Sequence, residues 1–190
     1  PGPLHVHTVH TMKDSTDVGT AAMAGLWSSL PVDYLVKVSG KADIQDELIK
    51  RFPGVLASSP LLQLLILRTL RLNCLTGDYS PLWEELFDPA WQQDRWTDPE
   101  FTRLPLGEVE AECSMATPLR RDFERRFALV ELDALAALML GLTADQLCAM
   151  YRTQFAVLRK YEYKMAFDAE GRKICGHHQS AGFRQGQLQD

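Results

Sequence analysis

The run PLLQLLILRTLRLNCL, residues 60–75, decides the fold of this chain. Its leucines and single isoleucine stand at 61, 62, 64, 65, 66 and 67 and return at 70 and 72, too densely for one amphipathic stripe. A helix with so little polar circumference has to be buried on most of its sides. Ser59 suits the N-cap and Pro60 the first helical position, where a missing N–H costs nothing. Gln63, Arg68 and Arg71 cut the run well short of the roughly 20 apolar residues that span a bilayer. The reading is a core helix over 60–75 in a soluble chain without a membrane partner.

Upstream, TAAMAGLWSSL (20–30) is rich in alanine, and Pro31 fits the first turn of a following helix, so helices are predicted over 20–29 and 31–38. Gly40 supplies a helix exit. ADIQDELIKRF (42–52) sets Ile44, Leu48 and Ile49 on one face behind Asp43, Asp46 and Glu47, which predicts an amphipathic helix ending at Pro53. Residues 1–18 alternate His5, His7 and His10 with Val6 and Val9, the pattern of an extended segment closing an earlier region.

Downstream, GDYSPLWEELFDPAWQQDRWTDPEF (77–101) holds Trp83, Trp91 and Trp96 among repeated prolines, as in an irregular connector stapled by aromatic rings. A long helix is then predicted from Thr117-Pro118, with Leu119, Phe123, Phe127, Val130, Ala134 and Leu138 on its apolar stripe and Gly141 just past its end. Thr143 caps LTADQLCAMY, RTQFAVLRKYEY adds another short helix, and EYKMAFDAEGRKICG alternates about an Asp-Ala-Glu-Gly turn like a small hairpin. The predicted fold is mainly α, an irregular helical bundle with short strand or hairpin elements near the two ends. Its segments are 1–18 extended, 19–76 helical, 77–116 Pro/Trp-rich connector, 117–162 helical scaffold and 163–190 basic hairpin and tail.

At 46% hydrophobic the chain can bury a real core, and a net charge of −5 gives the whole molecule no general attraction to nucleic acid. Any basic surface has to be local. Cys74, Cys113, Cys148 and Cys175 form no C-x-x-C pair, which fits a reducing compartment, the cytoplasm, rather than a disulfide scaffold. The opening Pro-Gly-Pro and closing QGQLQD read as the cut ends of something longer.

Chemical motifs are sparse. His5, His7 and His10, with Cys175, His177 and His178, are metal-ligand types without the paired spacing of a zinc site. VSGKAD lacks the lead of a phosphate-binding loop, and no nucleophile elbow is present. Cys74 and Cys148 fall on predicted apolar faces and read as core residues. The carboxylates between Asp78 and Glu131 read as a solvated helix face paired with Arg120, Arg121, Arg125 and Arg126. Hence no catalytic, cofactor-binding or metal-binding residue is assigned.

A local basic surface does appear. Arg152, Arg159, Lys160, Lys164, Arg172, Lys173 and Arg184 are interleaved with Tyr151, Tyr161, Tyr163, Phe167 and Phe183, ahead of the Gly- and amide-rich GHHQSAGFRQGQ. Arginine and lysine neutralise phosphates, His177 and His178 can add phosphate contacts, and Gln179 and Gln185 can read adenine edges. Lys37, Lys41, Lys50 and Arg51 are likewise available to a phosphate backbone. An acidic protein partner suits the same tail almost as well.

SSLPVDYLVKVSGKADIQDELIKRFP (28–53) resembles the stretch that closes the target-recognition region of large DNA N6-adenine methyltransferases of the type IIG restriction-modification kind and of BREX and DISARM phage defence. Ser28 and Ser29 stand where Asn-Ser is usual, and Asp33, Tyr34, Lys37, Gly40, Phe52 and Pro53 match. LRTLRLNCLTGDYSPLWEEL is similar to the Leu-rich helix and Tyr/Leu-Trp connector that follow. LRRDFERRFALVELDALAALMLGLTADQLCAMYRTQFAVLRKYEY is similar to the closing helices, with their Arg-rich entry, Gly-Leu-Thr and Tyr-Arg-x-Gln-Phe turn. The family's Asn-Pro-Pro-Tyr or Asp-Pro-Pro-Tyr motif and its Gly-rich S-adenosylmethionine turn are absent from the sequence. The resemblance therefore implies a recognition and scaffold part whose partners are DNA, the parent's catalytic region and other defence proteins, with S-adenosylmethionine bound by the parent rather than by this chain.

The alternative is a helical protein-interaction module of a defence complex that touches no DNA. Its anchor would be the acidic span carrying Trp83, Trp91 and Trp96, provided these rings are exposed. If they are buried, they only staple the connector to the core.

Overall fold

The computed structural model describes residues 11–41, 44, 46–98 and 104–176. Within them the chain is mainly α: α1 (Asp17–Trp27), α2 (Leu30–Val38), α3 (Asp46–Ile49), α4 (Leu62–Asn73), α5 (Ser80–Leu86), α6 (Asp122–Met139), α7 (Ala144–Gln154) and α8 (Ala156–Tyr163). Short 3-10 turns at Gly77–Tyr79 and Pro89–Gln93 flank α5. No helix among the described residues is long and apolar enough to cross a membrane.

The helix α4 is the centre, with nine of its twelve residues buried, as its apolar circumference demands. It packs against α1 and α6, which also touch each other. Close approach of α1 depends on Gly25, where a Cβ would overlap Thr69 Oγ1 and come within 3.1 Å of Leu65 Cγ. On α6 the small residues Ala128 and Ala136 are fully buried.

The arginines that interrupt the apolar run are buried too, and each organises a distant segment. Arg71 donates to the carbonyls of Thr117 (2.9 Å), Pro105 (2.6 Å) and Leu106 (2.6 Å), while its own carbonyl accepts from Leu119 N–H at 2.7 Å. Burial pulls its guanidinium down to about 10, against the Glu124 carboxylate that favours the charge. Arg68 bridges Glu131 (2.7 Å) and Asp94 (2.8 Å). A helix so apolar thus carries two charges inward: Arg71 satisfies carbonyls of irregular backbone, and Arg68 is paired with two carboxylates.

Helix ends follow the sequence signals closely. Gly40 and Gly141 take positive φ of 65° and 71°. Leu142 N–H reaches Ala137 O (2.8 Å) and Gly141 N–H reaches Leu138 O (3.1 Å), a Schellman exit. Thr143 and Gln146 form a reciprocal capping box at α7. Ser59 Oγ accepts from Leu61 N–H (3.3 Å), although the helix proper starts at Leu62 rather than Pro60.

Several expectations are corrected. The helix expected up to Pro53 is one turn, Asp46–Ile49, because Trp27 Nε1 donates to Pro53 O (2.9 Å) and packs edge-on against Phe52, pulling the chain back to α1. The long helix begins at Asp122 rather than Thr117-Pro118, since Arg71 holds Thr117 and Leu119 in extended hydrogen bonds. Its inward face runs through Glu124, Ala128, Glu131 and Leu135, while Val130 and Leu138 of the expected stripe are 45% and 61% exposed. Glu124 and Glu131 are buried and not part of a solvated face. Cys148 is exposed, whereas Cys74 is buried and its thiol is pushed up to about 11 by burial. The expected hairpin is a turn with a single Phe167–Lys173 bridge. That turn covers the start of α6: Gly171 O accepts from Phe123 N–H (3.0 Å) and Asp122 accepts from Lys173 N–H (2.9 Å). Of the extended segment expected over 1–18, residues 1–10 lie outside the described residues, and Asp17 and Val18 already belong to α1.

Candidate nucleic-acid interface

The helices α7 and α8 are separated by one residue, Phe155, whose φ of −117° and ψ of 41° end one helix and begin the next. Phe155 is buried, and Lys37 near the C-terminus of α2 places its ammonium 5.0 Å from the ring centroid. Lys37 is thereby held at the α7–α8 corner by a cation–π contact.

No residue of α8 is fully buried, so packing alone gives the helix a weak hold. Glu162 supplies the rest. One carboxylate oxygen accepts from Arg126 Nη2 at 2.6 Å and the other accepts from the Tyr151 hydroxyl, which joins α8 to both α6 and α7. Burial first, then the bond to Glu162, pushes the Tyr151 hydroxyl above its ordinary value and keeps it a donor. Arg159 lies over the Tyr151 ring at 5.9 Å and donates to Arg152 O at 3.0 Å.

Behind this junction Asp133 accepts from Leu30 N–H at 2.6 Å, at the start of α2. Burial raises its carboxyl to about 6, opposed by the Leu30 N–H and Arg126 and aided by Glu162. The helix α2, which carries Lys37, is thus positioned by a residue of α6.

Between α7 and α8 runs an open groove of about 460 Å³, lined by Tyr151, Ala156, Arg159, Lys160, Tyr163 and Lys164. Three cations and two tyrosines thus share its lining, with Arg159 over the Tyr151 ring. Its chemistry is that of cations beside one exposed aromatic ring, Tyr163.

Comparison with protein-family models, curated proteins and solved structures finds no match to the chain.

The expected phosphate contacts divide into groups. Arg159, Lys160 and Lys164 share the groove, whereas Lys37 lies against Phe155 at the α7–α8 break and does not line it. Lys41 is exposed just beyond the end of α2. Lys50 and Arg51 are exposed at a different corner, beside the Trp27–Phe52 contact. Arg172 is spent on Asp168 at 2.8 Å, and Asp168 is held low chiefly by the Arg172 backbone N–H. Lys173 is exposed in the turn under α6. His177, His178, Gln179, Arg184 and Gln185 lie outside the described residues, as do His5, His7 and His10. Among the described residues no group of three or more His, Cys, Asp or Glu is placed to hold a metal ion.

Sequence reasoning missed Glu162 and Arg126, the pair that fixes the groove. Glu162 counts in the sequence merely as an acid offsetting nearby cations, and only the break at Phe155 turns it back toward Tyr151. The tryptophans lose their proposed role as an exposed anchor: Trp83, Trp91 and Trp96 are 0%, 2% and 5% exposed. The Trp91 indole N–H donates to Gln63 Oε1 on α4, those of Trp83 and Trp96 donate to Glu110 O and Leu104 O within the connector, and burial of the three rings in the core staples the connector down.

Proposed function

We propose that the chain is a helical DNA-contacting and scaffold module of an S-adenosylmethionine-dependent, adenine-specific DNA methyltransferase acting in bacterial restriction or phage defence, in the cytoplasm. The sequence resemblance supplies the family. The observation that carries DNA contact is the gathering of Arg159, Lys160 and Lys164 around one groove on a protein whose net charge is −5. Cations concentrated against an overall negative charge are the footprint of a local polyanion site.

In this reading the module positions DNA and transfers no methyl group. Phosphate contacts fix register on the duplex, and the α1–α4–α6 core holds the groove rigid relative to the catalytic region of the parent enzyme. Burial of the three connector tryptophans favours this role over a tryptophan-anchored protein interface.

Gel-shift titration of a mixed-sequence duplex with Arg159→Ala, Lys160→Ala and Lys164→Ala tests the reading. Each is expected to weaken binding to all sequences alike, whereas Lys50→Ala has less effect. Affinity unchanged by all three groove substitutions contradicts it.

A further inference from the structure

The tyrosines of the groove contribute nothing to phosphate neutralisation, yet both line it. Tyr151 is held from two sides, by its bond to Glu162 and by the Arg159 guanidinium over its ring. Tyr163 lines the same groove and is 88% exposed. A lone exposed tyrosine is ordinary on a protein surface. Here the exposed ring of Tyr163 stands among Arg159, Lys160 and Lys164 on a helix that Tyr151 and Glu162 hold in place, which makes it a stacking face beside phosphate-binding cations.

A duplex cannot use that platform, because its base faces are already stacked on one another. An unpaired base can, since every base has a π-face and the cations beside it take the phosphates. The groove volume of about 460 Å³ lies in the range of small-ligand sites, roughly 300–1,000 Å³, which is room for an unpaired nucleotide.

Resting on the DNA-contacting reading, we infer that the α7–α8 groove holds unpaired nucleotides of single-stranded DNA, a base stacked on Tyr163 and the adjoining phosphates on Arg159, Lys160 and Lys164. Glu162 and Arg126 are positioning residues that keep Tyr151 and α8 in place for it. The chain therefore prefers strands that are locally open to strands that are fully paired.

The test uses the whole chain and three fluorescent probes: a mixed-sequence single strand, the same sequence as a duplex, and an abasic strand of equal length. The single strand is expected to bind most tightly. Tyr163→Leu weakens it between about fivefold and a hundredfold, the effect of losing one stacked base, and Tyr163→Phe retains it. The abasic strand binds weakly and is indifferent to Tyr163→Leu. Single-strand affinity unchanged in Tyr163→Leu, or equal binding of intact and abasic strands, overturns the inference. If duplex binding still weakens in Arg159→Ala, the DNA-contacting reading survives that result. Failure of all three probes to bind overturns both.

Discussion

The guanidinium of Arg68 and the carboxylate of Glu131, 63 residues apart in the chain, meet at 2.7 Å inside the contact between α4 and α6. Their side chains are 4% and 6% exposed. The second oxygen of Glu131 accepts from the Thr97 N–H and hydroxyl, and Arg68 also reaches Asp94, so the pair fastens the connector to the core. Removing one partner strands a buried charge, at about 3–5 kcal/mol. Arg68→Met and Glu131→Leu are each expected to lose that much, and the double substitution less than the sum. Urea unfolding of the four proteins measures the coupling, and strict additivity contradicts the pairing.

Asp133 makes stability depend on pH in an unusual direction for a carboxylate. Its value in the folded chain is raised to about 6 from 3.8, so the folded state binds its proton more tightly than the unfolded state. The contribution is fully present below 3.8 and is lost as pH rises through about 6. Asp133→Asn keeps an acceptor for Leu30 N–H and removes the titration. The variant should gain stability relative to the parent across that window, as read from denaturation midpoints at a series of pH values. Identical pH dependence in the two proteins contradicts the assignment.

Gly25 separates propensity from packing. Alanine favours a helix over glycine by about 1 kcal/mol, but here the added Cβ overlaps Thr69 Oγ1 and crowds Leu65. Overpacking costs about 1–3 kcal/mol. Gly25→Ala is expected to be destabilised on balance, with partial recovery in combination with Thr69→Ala. A Gly25→Ala variant more stable than the parent in thermal unfolding would mean that α1 and α4 do not approach this closely.

Burial of Trp83, Trp91 and Trp96 has a direct optical consequence. Acrylamide should quench the folded chain weakly and the unfolded chain strongly, with partly buried Trp27 the more accessible fluorophore. Strong quenching of the folded protein would return the connector to the solvent and revive the interaction-module reading.

Much of the helical order was legible in the sequence, because local signals and burial agree there. The apolar circumference of 60–75, Gly141 and the Thr143–Gln146 box each act within a few residues. What the sequence hid depends on partners far away in the chain. Arg68 and Arg71 look like breaks in an apolar run until their acceptors, up to 63 residues distant, are known. The buried face of α6 was misread for the same reason, since Glu124 and Glu131 are polar by type and inward by pairing or proximity to those arginines. At the groove, Arg159, Lys160, Tyr163 and Lys164 share a face of α8 by helical spacing alone, while the placing of Tyr151 beside them required the turn at Phe155 and the tether at Glu162.

Fluorescence anisotropy of a labelled mixed-sequence DNA, titrated with the whole chain from low to physiological salt, tests the central claim most directly. Binding is expected at low salt, with a log–log slope of several units that falls by about one for each groove cation removed. No binding even at low salt, or binding whose salt slope is untouched by loss of Arg159, Lys160 and Lys164, would contradict it.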